Sequence, residues 1–152
     1  MFVLQAVADP EEIYGILQRF DNVLPHLKEK VTDYRQFSQK LSRYANVRTA
    51  VEAGKELGFV VFYANDMNSR TGYITLLACA KESQGQGVGR FLMQKACREA
   101  AAAGMKTMRL EVDLDNEGAM AFYHKLGFTQ AGEAMPGSMY LEKEIAVEEN
   151  NG

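Results

Sequence analysis

The segment from Gln84 to Arg90, which reads Gln-Gly-Gln-Gly-Val-Gly-Arg, combines residue types that can bind a phosphate group. Its glycines let a ligand approach the main chain closely. If a helix begins there, the N–H groups of its first turn have no intrahelical partner, and the helix dipole adds positive potential at the same end. The segment therefore predicts an anion site suited to a diphosphate, with Arg90 adding a charge-assisted contact.

Two other phosphate motifs do not fit this segment. A Walker A loop needs Gly-Lys followed by Ser or Thr, whereas Gly89 is followed by Arg90. A dinucleotide fingerprint needs Gly-x-Gly-x-x-Gly; counted from Gly85 its last position is Arg90, and counted from Gly87 it is Leu92. A glycine-rich connector that binds nothing is the remaining alternative, because such a turn is a weak signal on its own.

A strand and a long helix are predicted on either side of the glycines. Residues 71–80 are rich in β-branched and aromatic residues and predict a strand. Residues 87–103 predict a helix that ends at Gly104, and residues 107–112 predict the next strand. The helix has one apolar face, formed by Val88, Leu92, Ala96 and Ala100. The glycine turn is therefore expected to join a strand end to a helix start.

The remaining elements follow from the same periodicities. Helices are predicted from Asp9 to Phe20, with Asp9 as N-cap and Glu12 completing a capping box, and also at 33–44 and 117–126. Further strands are predicted at 1–8, 47–51, 57–63, 128–134 and 138–145. The order βααβββαβαββ indicates an α/β fold in which helices pack on a mixed, mostly antiparallel sheet. We expect one domain over residues 1–146 and a flexible acidic tail at 147–152.

Composition limits the classes of partner. The net charge of −3 argues against binding to nucleic acid or to anionic membranes, both of which require a basic surface. No apolar run is long enough to span a bilayer. Cys79 and Cys97 are too few for a disulfide framework and are expected to be small core residues in a reduced, cytoplasmic protein. Neither histidine makes a metal-ligand pattern with the cysteines, so no metal is expected.

The motifs together resemble the GNAT superfamily of N-acetyltransferases. The family pattern Gln/Arg-x-x-Gly-x-Gly/Ala matches Gln84 to Gly89. Downstream, Leu110-Glu111-Val112, Asn116, Ala121-Phe122-Tyr123 and Lys125-Leu126-Gly127-Phe128 also match at the family spacing. The resemblance runs from about Leu57 to Leu141, and the combination is far more specific than any one motif.

The resemblance implies a three-layer α-β-α fold whose sheet is splayed between its fourth and fifth strands, with acetyl-CoA as acetyl donor. The pantetheine arm would bond to the main chain of Leu77, Ala78 and Cys79, and a main-chain N–H near Cys79 would serve as an oxyanion donor. Asn116 would contact the pantetheine arm or orient the following helix. The implied residues of the glycine turn are Gln84, Gly85, Gln86, Gly87, Val88, Gly89 and Arg90.

Direct attack of an amine on the thioester is the reaction that the resemblance implies. Tyr123 matches the tyrosine near the thioester sulfur and is expected to protonate the departing thiolate. Glu111 is the candidate base that removes the proton of the amine. The alternative for Glu111 is a structural carboxylate held by local polar groups, and this alternative stays open.

The acceptor is expected to be a primary amine of a small molecule, such as an amino sugar, an amine or an amino acid. The alternatives are a protein N-terminus or lysine, a catalytically silent module that binds acetyl-CoA, and a nucleotide-binding α/β module. The sequence allows a homodimer formed through the C-terminal strands but does not require one.

Overall fold

The computed structural model describes residues 1–146, so the predicted tail at 147–152 lies outside the described residues. The chain divides into two compact units. The first comprises residues 1–63 and 75–96, and the second comprises residues 64–74 and the described chain from residue 97 onward. No helix among the described residues is both long and apolar enough to cross a membrane.

The elements follow the predicted order with one short helix added. The strands are β1 (Val3–Val7), β2 (Asn46–Glu52), β3 (Lys55–Tyr63), β4 (Thr71–Cys79), β5 (Thr107–Asp113), β6 (Thr129–Glu133) and β7 (Ser138–Glu144). The helices are α1 (Pro10–Arg19), α2 (Leu27–Lys30), α3 (Tyr34–Tyr44), α4 (Val88–Ala102) and α5 (Glu117–Lys125). Two 3₁₀ turns, Asp21–Val23 and Lys81–Ser83, complete the described chain. Helix α2 and both 3₁₀ turns are absent from the sequence prediction.

The strands form one seven-stranded sheet in the order β1-β2-β3-β4-β5-β7-β6. Strands β1, β2 and β3 pair antiparallel, as do β5, β7 and β6. Strands β4 and β5 are parallel, and their register runs from Thr71↔Thr107 to Tyr73↔Arg109. Because β4 extends to Cys79 and β5 to Asp113, the register covers only the first part of each strand. The predicted mixed, mostly antiparallel sheet is confirmed.

The first unit has helices on both faces of its strands. Phe59 and Val61 of β3 are fully buried in a core that includes Ile13, Leu17 and Leu41 of α1 and α3. Gly58 points to the other face, where an added Cβ would lie 3.1 Å from a methyl carbon of Val88 at the start of α4. This arrangement agrees with the predicted α-β-α layering.

Asp9 caps helix α1 in a way that differs from the predicted capping box. Its carboxylate accepts a hydrogen bond of 3.3 Å from the Glu11 N–H, whereas a capping box would use the N–H of Glu12. Pro10 occupies the start of the helix, where its missing N–H has no cost. The cap is therefore confirmed, but the capping box is not.

Strand β5 in the second unit has one apolar face and one polar face. Met108, Leu110 and Val112 are buried, with exposures of 0%, 2% and 5%. The side chains between them alternate to the opposite face, where Arg109 pairs with Glu142 and Glu111 with Tyr140 across to β7. Charged and aromatic groups meet on this polar face. It is therefore the part of β5 that can supply catalytic or binding side chains.

Candidate active site

The main chain at the entrance to α4 is open, as the sequence predicts. Gly85 and Gly87 have φ angles of +82° and +87°, which favour glycine because a Cβ is strained there. A Cβ added at either position would meet no atom within 4 Å. The space above this turn is therefore free for a ligand to approach the backbone.

The amide hydrogens at this entrance are available. Gln86 N–H donates to the Ser83 carbonyl at 3.3 Å, and Phe91 N–H donates to the Gly87 carbonyl at 3.0 Å. Within the described residues, the N–H groups of Gly87, Val88, Gly89 and Arg90 have no backbone acceptor. Val88 is 1% exposed, so its side chain anchors the helix start in the core. The turn thus presents successive free N–H donors on a helix start whose position is fixed by the core. An anion site needs this arrangement.

Ser83 holds the approach to this turn and is missing from the sequence prediction. It is 2% exposed, and its hydroxyl donates to the Leu57 carbonyl at 2.9 Å and contacts the Ala80 carbonyl at 3.0 Å. The Ala80 N–H also donates to the Leu57 carbonyl, at 2.9 Å. Ser83 therefore ties the segment before the glycines to strand β3. A serine between a strand end and a glycine turn is the sequence signal for such a contact.

The end of β4 lies next to the turn in the same unit. Gln84 Nε2 donates to the Cys79 carbonyl at 3.4 Å, and Ala78 is buried at 5% exposure against β3. The first unit therefore brings the predicted segment Leu77–Cys79 together with the predicted turn. Burial raises the pKa of the Cys79 thiol, which disfavours the reactive thiolate. Cys79 is half-buried, whereas the sequence predicted a core residue, but its raised pKa agrees with the prediction that it is not a nucleophile.

Asn116 and Tyr123 lie in the second unit, at the start and the middle of α5. Asn116 is the N-cap of this helix, and its side-chain oxygen accepts from the Ala119 N–H at 3.1 Å. Of the two roles predicted for Asn116, the structure thus shows the one that orients the helix. The half-buried Tyr123 ring lies edge-on to Phe122 and Phe128, with centroids 5.2 and 5.9 Å away. These contacts fix the ring of the predicted acid.

Glu111 lies on the polar face of β5 with a hydrogen-bonding neighbour on β7. The Ser138 hydroxyl donates to Glu111 Oε2 at 2.7 Å, and the same hydroxyl accepts from the Met135 N–H at 3.0 Å. Ser138 is missing from the sequence prediction. Its contact orients the Glu111 carboxylate, and it is also the kind of local polar partner that the structural alternative for Glu111 requires.

Tyr73, Arg109 and Tyr140 surround Glu111 and are also missing from the prediction. Burial, followed by the negative charges of Glu111 and Tyr140, raises the pKa of Tyr73 to about 12. Tyr73 is the parallel register partner of Arg109, and Tyr140 is the antiparallel partner of Glu111. The alternation of Arg109, Glu111 and Asp113 along β5 is the sequence signal for this polar face, but its partners depend on strand register.

The candidate residues are thus distributed over both units. The first unit contains Leu77–Cys79 and the turn Gln84–Arg90, and the second contains Glu111, Asn116 and Tyr123. Within the described residues, no group of three or more His, Cys, Asp or Glu side chains could hold a metal ion.

Comparison with known proteins gives a family match over most of the chain. The model of the acetyltransferase (GNAT) family matches residues 11–128. The chain is 34% identical over 97 residues to N-alpha-acetyltransferase 30 of Schizosaccharomyces pombe, which covers 62% of this chain and 63% of that protein. It is 38% identical over 77 residues to a mycothiol acetyltransferase of Jonesia denitrificans, which covers 51% of this chain and 24% of that protein. The match therefore spans less than two thirds of either relative.

Solved structures share the fold over nearly the whole chain. An acetyltransferase of the GNAT family from Desulfovibrio desulfuricans superposes with a TM-score of 0.78 at 15% identity, covering 96% of this chain and 100% of that one. PaiA N-acetyltransferase from Thermoplasma acidophilum, in complex with coenzyme A, superposes with a TM-score of 0.74 at 16% identity and covers 95% and 99%. At such identities the likeness shows the fold alone.

Proposed function

The chain belongs to the GNAT acetyltransferase family, and on this premise we propose that it transfers an acetyl group from acetyl-CoA to a primary amine. The observation that carries the proposal is the open, donor-rich entrance to α4, where Gly85 and Gly87 leave the main chain uncovered. The family match supports the same donor. Acetyl-CoA supplies an activated acetyl thioester.

The proposed donor contacts come from the first unit. Main-chain N–H groups from Gly87 to Arg90 bind the diphosphate, and the Arg90 side chain adds charge. The N–H of Gln86, which the sequence prediction included, already donates to the Ser83 carbonyl. Gln84 and Gly85 shape the turn, and the main chain of Leu77, Ala78 and Cys79 bonds to the pantetheine arm. These contacts need no broad basic surface, which is compatible with a chain of net charge −3.

The proposed proton transfers use two side chains of the second unit. Glu111 accepts a proton from the acceptor amine, because only a neutral amine is nucleophilic. Its hydrogen bond from Ser138 supports this role by holding one carboxylate oxygen in place. Tyr123 donates its phenolic proton to the sulfur of the departing thiolate, which leaves as the free thiol of coenzyme A. Asn116 positions Tyr123 through the cap of α5.

A small-molecule amine is the proposed acceptor, and a protein N-terminus is the second candidate. The names of the two relatives support one candidate each. The fission yeast protein is named an N-alpha-acetyltransferase, and the Jonesia protein is named a mycothiol acetyltransferase, after a small molecule. We also propose that the protein acts in a reducing compartment, since both of its cysteines are free thiols.

A panel of amines tests the function directly. Purified protein is incubated with acetyl-CoA and glucosamine, simple alkyl amines, free amino acids, or short peptides with free N-termini or lysines. Thiol release is followed with a chromogenic disulfide, and acetylated products are identified by mass spectrometry. We expect release with at least one acceptor and its loss in Glu111→Gln.

A catalytically silent acetyl-CoA-binding module makes the opposite prediction. It would bind acetyl-CoA in a calorimetric titration but release no thiol with any member of the panel. A nucleotide-binding module would instead be protected against thermal unfolding by ATP or NAD and not by CoA. Either result would contradict the proposed function.

A further inference from the structure

Arg109 makes a half-buried ion pair on the polar face of the second unit. Its Nε donates to Glu142 Oε2 at 2.6 Å, and its Nη2 approaches the same oxygen. The two side chains are 36% and 29% exposed, and their residues lie directly opposite each other on β5 and β7. Because two nitrogens of one planar group contact a single carboxylate on rigid strands, the plane of the guanidinium is fixed.

The same guanidinium stacks on an aromatic ring. Arg109 Cζ lies 4.5 Å from the centroid of the Tyr140 ring, within the range of a cation–π contact. Tyr140 is two residues from Glu142 along β7, on the same face of the strand, and it lies directly opposite Glu111. Direct cross-strand neighbours have Cβ atoms about 5 Å apart. The ring that Arg109 holds is therefore the neighbour of the proposed base.

Glu111 thus has two neighbours on β7, one directly opposite and one two residues further along the strand. Ser138 donates to its carboxylate, and Tyr140 lies opposite its Cβ. Ser138 is also bonded to the Met135 N–H, so its position is set by the hairpin backbone. Tyr140 has no equivalent backbone contact through its ring among the described interactions, and its stacking partner is Arg109. The stacking on Arg109 is therefore the described contact that can hold the Tyr140 ring in place.

We propose that Arg109 is a positioning residue for the acceptor amine: stacked on Tyr140 and paired with Glu142, it holds the Tyr140 ring beside Glu111. The inference rests on the proposed function, in which Glu111 accepts the proton of that amine. A ring held in one rotamer forms a fixed wall for the amine, and its face and the carboxylate both attract a positively charged ammonium before the proton is lost.

The chain contains a matched control for this arrangement. Arg35 of α3 donates to Glu11 at 2.8 Å and lies 4.3 Å over the ring of Tyr14 in α1. These are the same three residue types with the same two contacts, but they lie in the first unit and include no candidate catalytic residue. Arg35→Met therefore removes the same kinds of contact, at a more exposed ion pair, from the unit that does not contain Glu111.

The test compares Arg109→Met, Arg109→Lys and Arg35→Met with the acceptor that gives the highest turnover in the amine panel. In Arg109→Met we expect kcat/KM for the acceptor to fall about tenfold, the size of effect that misplacement of a reacting group produces. The KM for acetyl-CoA should stay within about twofold of the wild-type value. Arg109→Lys keeps the positive charge but not the planar group that stacks on the ring, and should recover only part of the loss. Arg35→Met should change neither parameter.

Tyr140→Leu removes the other partner of the stacking contact and leaves the ion pair between Arg109 and Glu142 intact. It therefore tests the positioning role even if Arg109→Met does not fold. We expect the same acceptor-specific loss, and no additional loss when both substitutions are combined. Retention of the acceptor kcat/KM in either variant, or an equal loss in Arg35→Met, would overturn the positioning role.

Glu111→Gln distinguishes a failure of the positioning role of Arg109 from a failure of the proposed base. If this variant loses turnover while Arg109→Met and Tyr140→Leu retain it, the proposed base stands and the positioning role fails. If Glu111→Gln retains full turnover, the role of Glu111 as base fails, and the positioning role fails with it. If no acceptor in the panel is acetylated, the proposed function itself fails.

Discussion

Tyr123 carries a proposed role that can be separated from cofactor binding. Its ring is held by Phe122 and Phe128, and removal of the hydroxyl leaves these ring contacts in place. We expect Tyr123→Phe to lower kcat about 10²-fold or more, as is usual for the loss of a general acid. The affinity for acetyl-CoA in a calorimetric titration should stay within about twofold of wild type.

His124 supplies the control for Tyr123 because it is the adjacent residue of α5 and is exposed. His124→Gln should keep the wild-type kcat. An unchanged kcat in Tyr123→Phe would show that another group or water protonates the thiolate.

Tyr73 gives a prediction about pH and stability. Burial and the nearby negative charges raise the pKa of Tyr73 to about 12, compared with about 10 in an unfolded chain. The folded state therefore holds this proton more tightly than the unfolded state does. The resulting stability is fully present below about pH 10 and is lost as the pH rises towards 12.

Tyr73→Phe removes this source of pH dependence. We expect the free energy of unfolding in urea to fall less steeply from pH 9.5 to pH 11.5 in Tyr73→Phe than in wild type. Parallel slopes in wild type and Tyr73→Phe would contradict the raised pKa.

At the scale of elements, the start of α4 depends on backbone conformations that only glycine adopts easily. Gly87 has a φ of +87°, so Gly87→Ala should cost about 1 kcal/mol of stability through backbone strain. The added methyl also enters the open space above the free amides. We therefore expect acetyl-CoA affinity, measured by calorimetry, to fall about tenfold or more in Gly87→Ala.

Gly54, in the turn between β2 and β3, provides a control that distinguishes the effect of backbone strain from the loss of the diphosphate site. Its φ is +77°, and an added Cβ there also meets no atom within 4 Å. Gly54→Ala should lose about the same stability in urea unfolding and keep wild-type affinity for acetyl-CoA. Equal affinities in the two variants would contradict the assignment of the diphosphate to this turn.

The long helices could be predicted from the sequence, and the shortest helical elements could not. Val88, Leu92, Ala96 and Ala100 are all no more than 1% exposed, because a 15-residue helix repeats its apolar face often enough to be recognised. Helix α2 has only four residues, of which Leu27 alone is buried, so no period can emerge. The 3₁₀ turns are shorter still. Their hydrogen bonds are local and leave no pattern of burial.

At the scale of the whole molecule, the family and the fold class could be predicted because their motifs are contiguous in sequence. The family prediction is confirmed by a match over residues 11–128. The surroundings of Glu111 could not be predicted in the same way. Arg109 and Glu142 are 33 residues apart, and their contact exists only because β5 and β7 pair in one particular register. The roles of Tyr123 and Glu111 stay predictions.

The central claim is that free amides at the start of α4 bind the diphosphate of acetyl-CoA. A titration of ¹⁵N-labelled protein with acetyl-CoA, followed by amide NMR, tests it most directly. We predict that the largest shifts at saturation fall on the amides from Gly87 to Arg90, which have no backbone acceptor among the described residues. Saturation by acetyl-CoA with these amides unmoved, or no binding at all, would contradict the account.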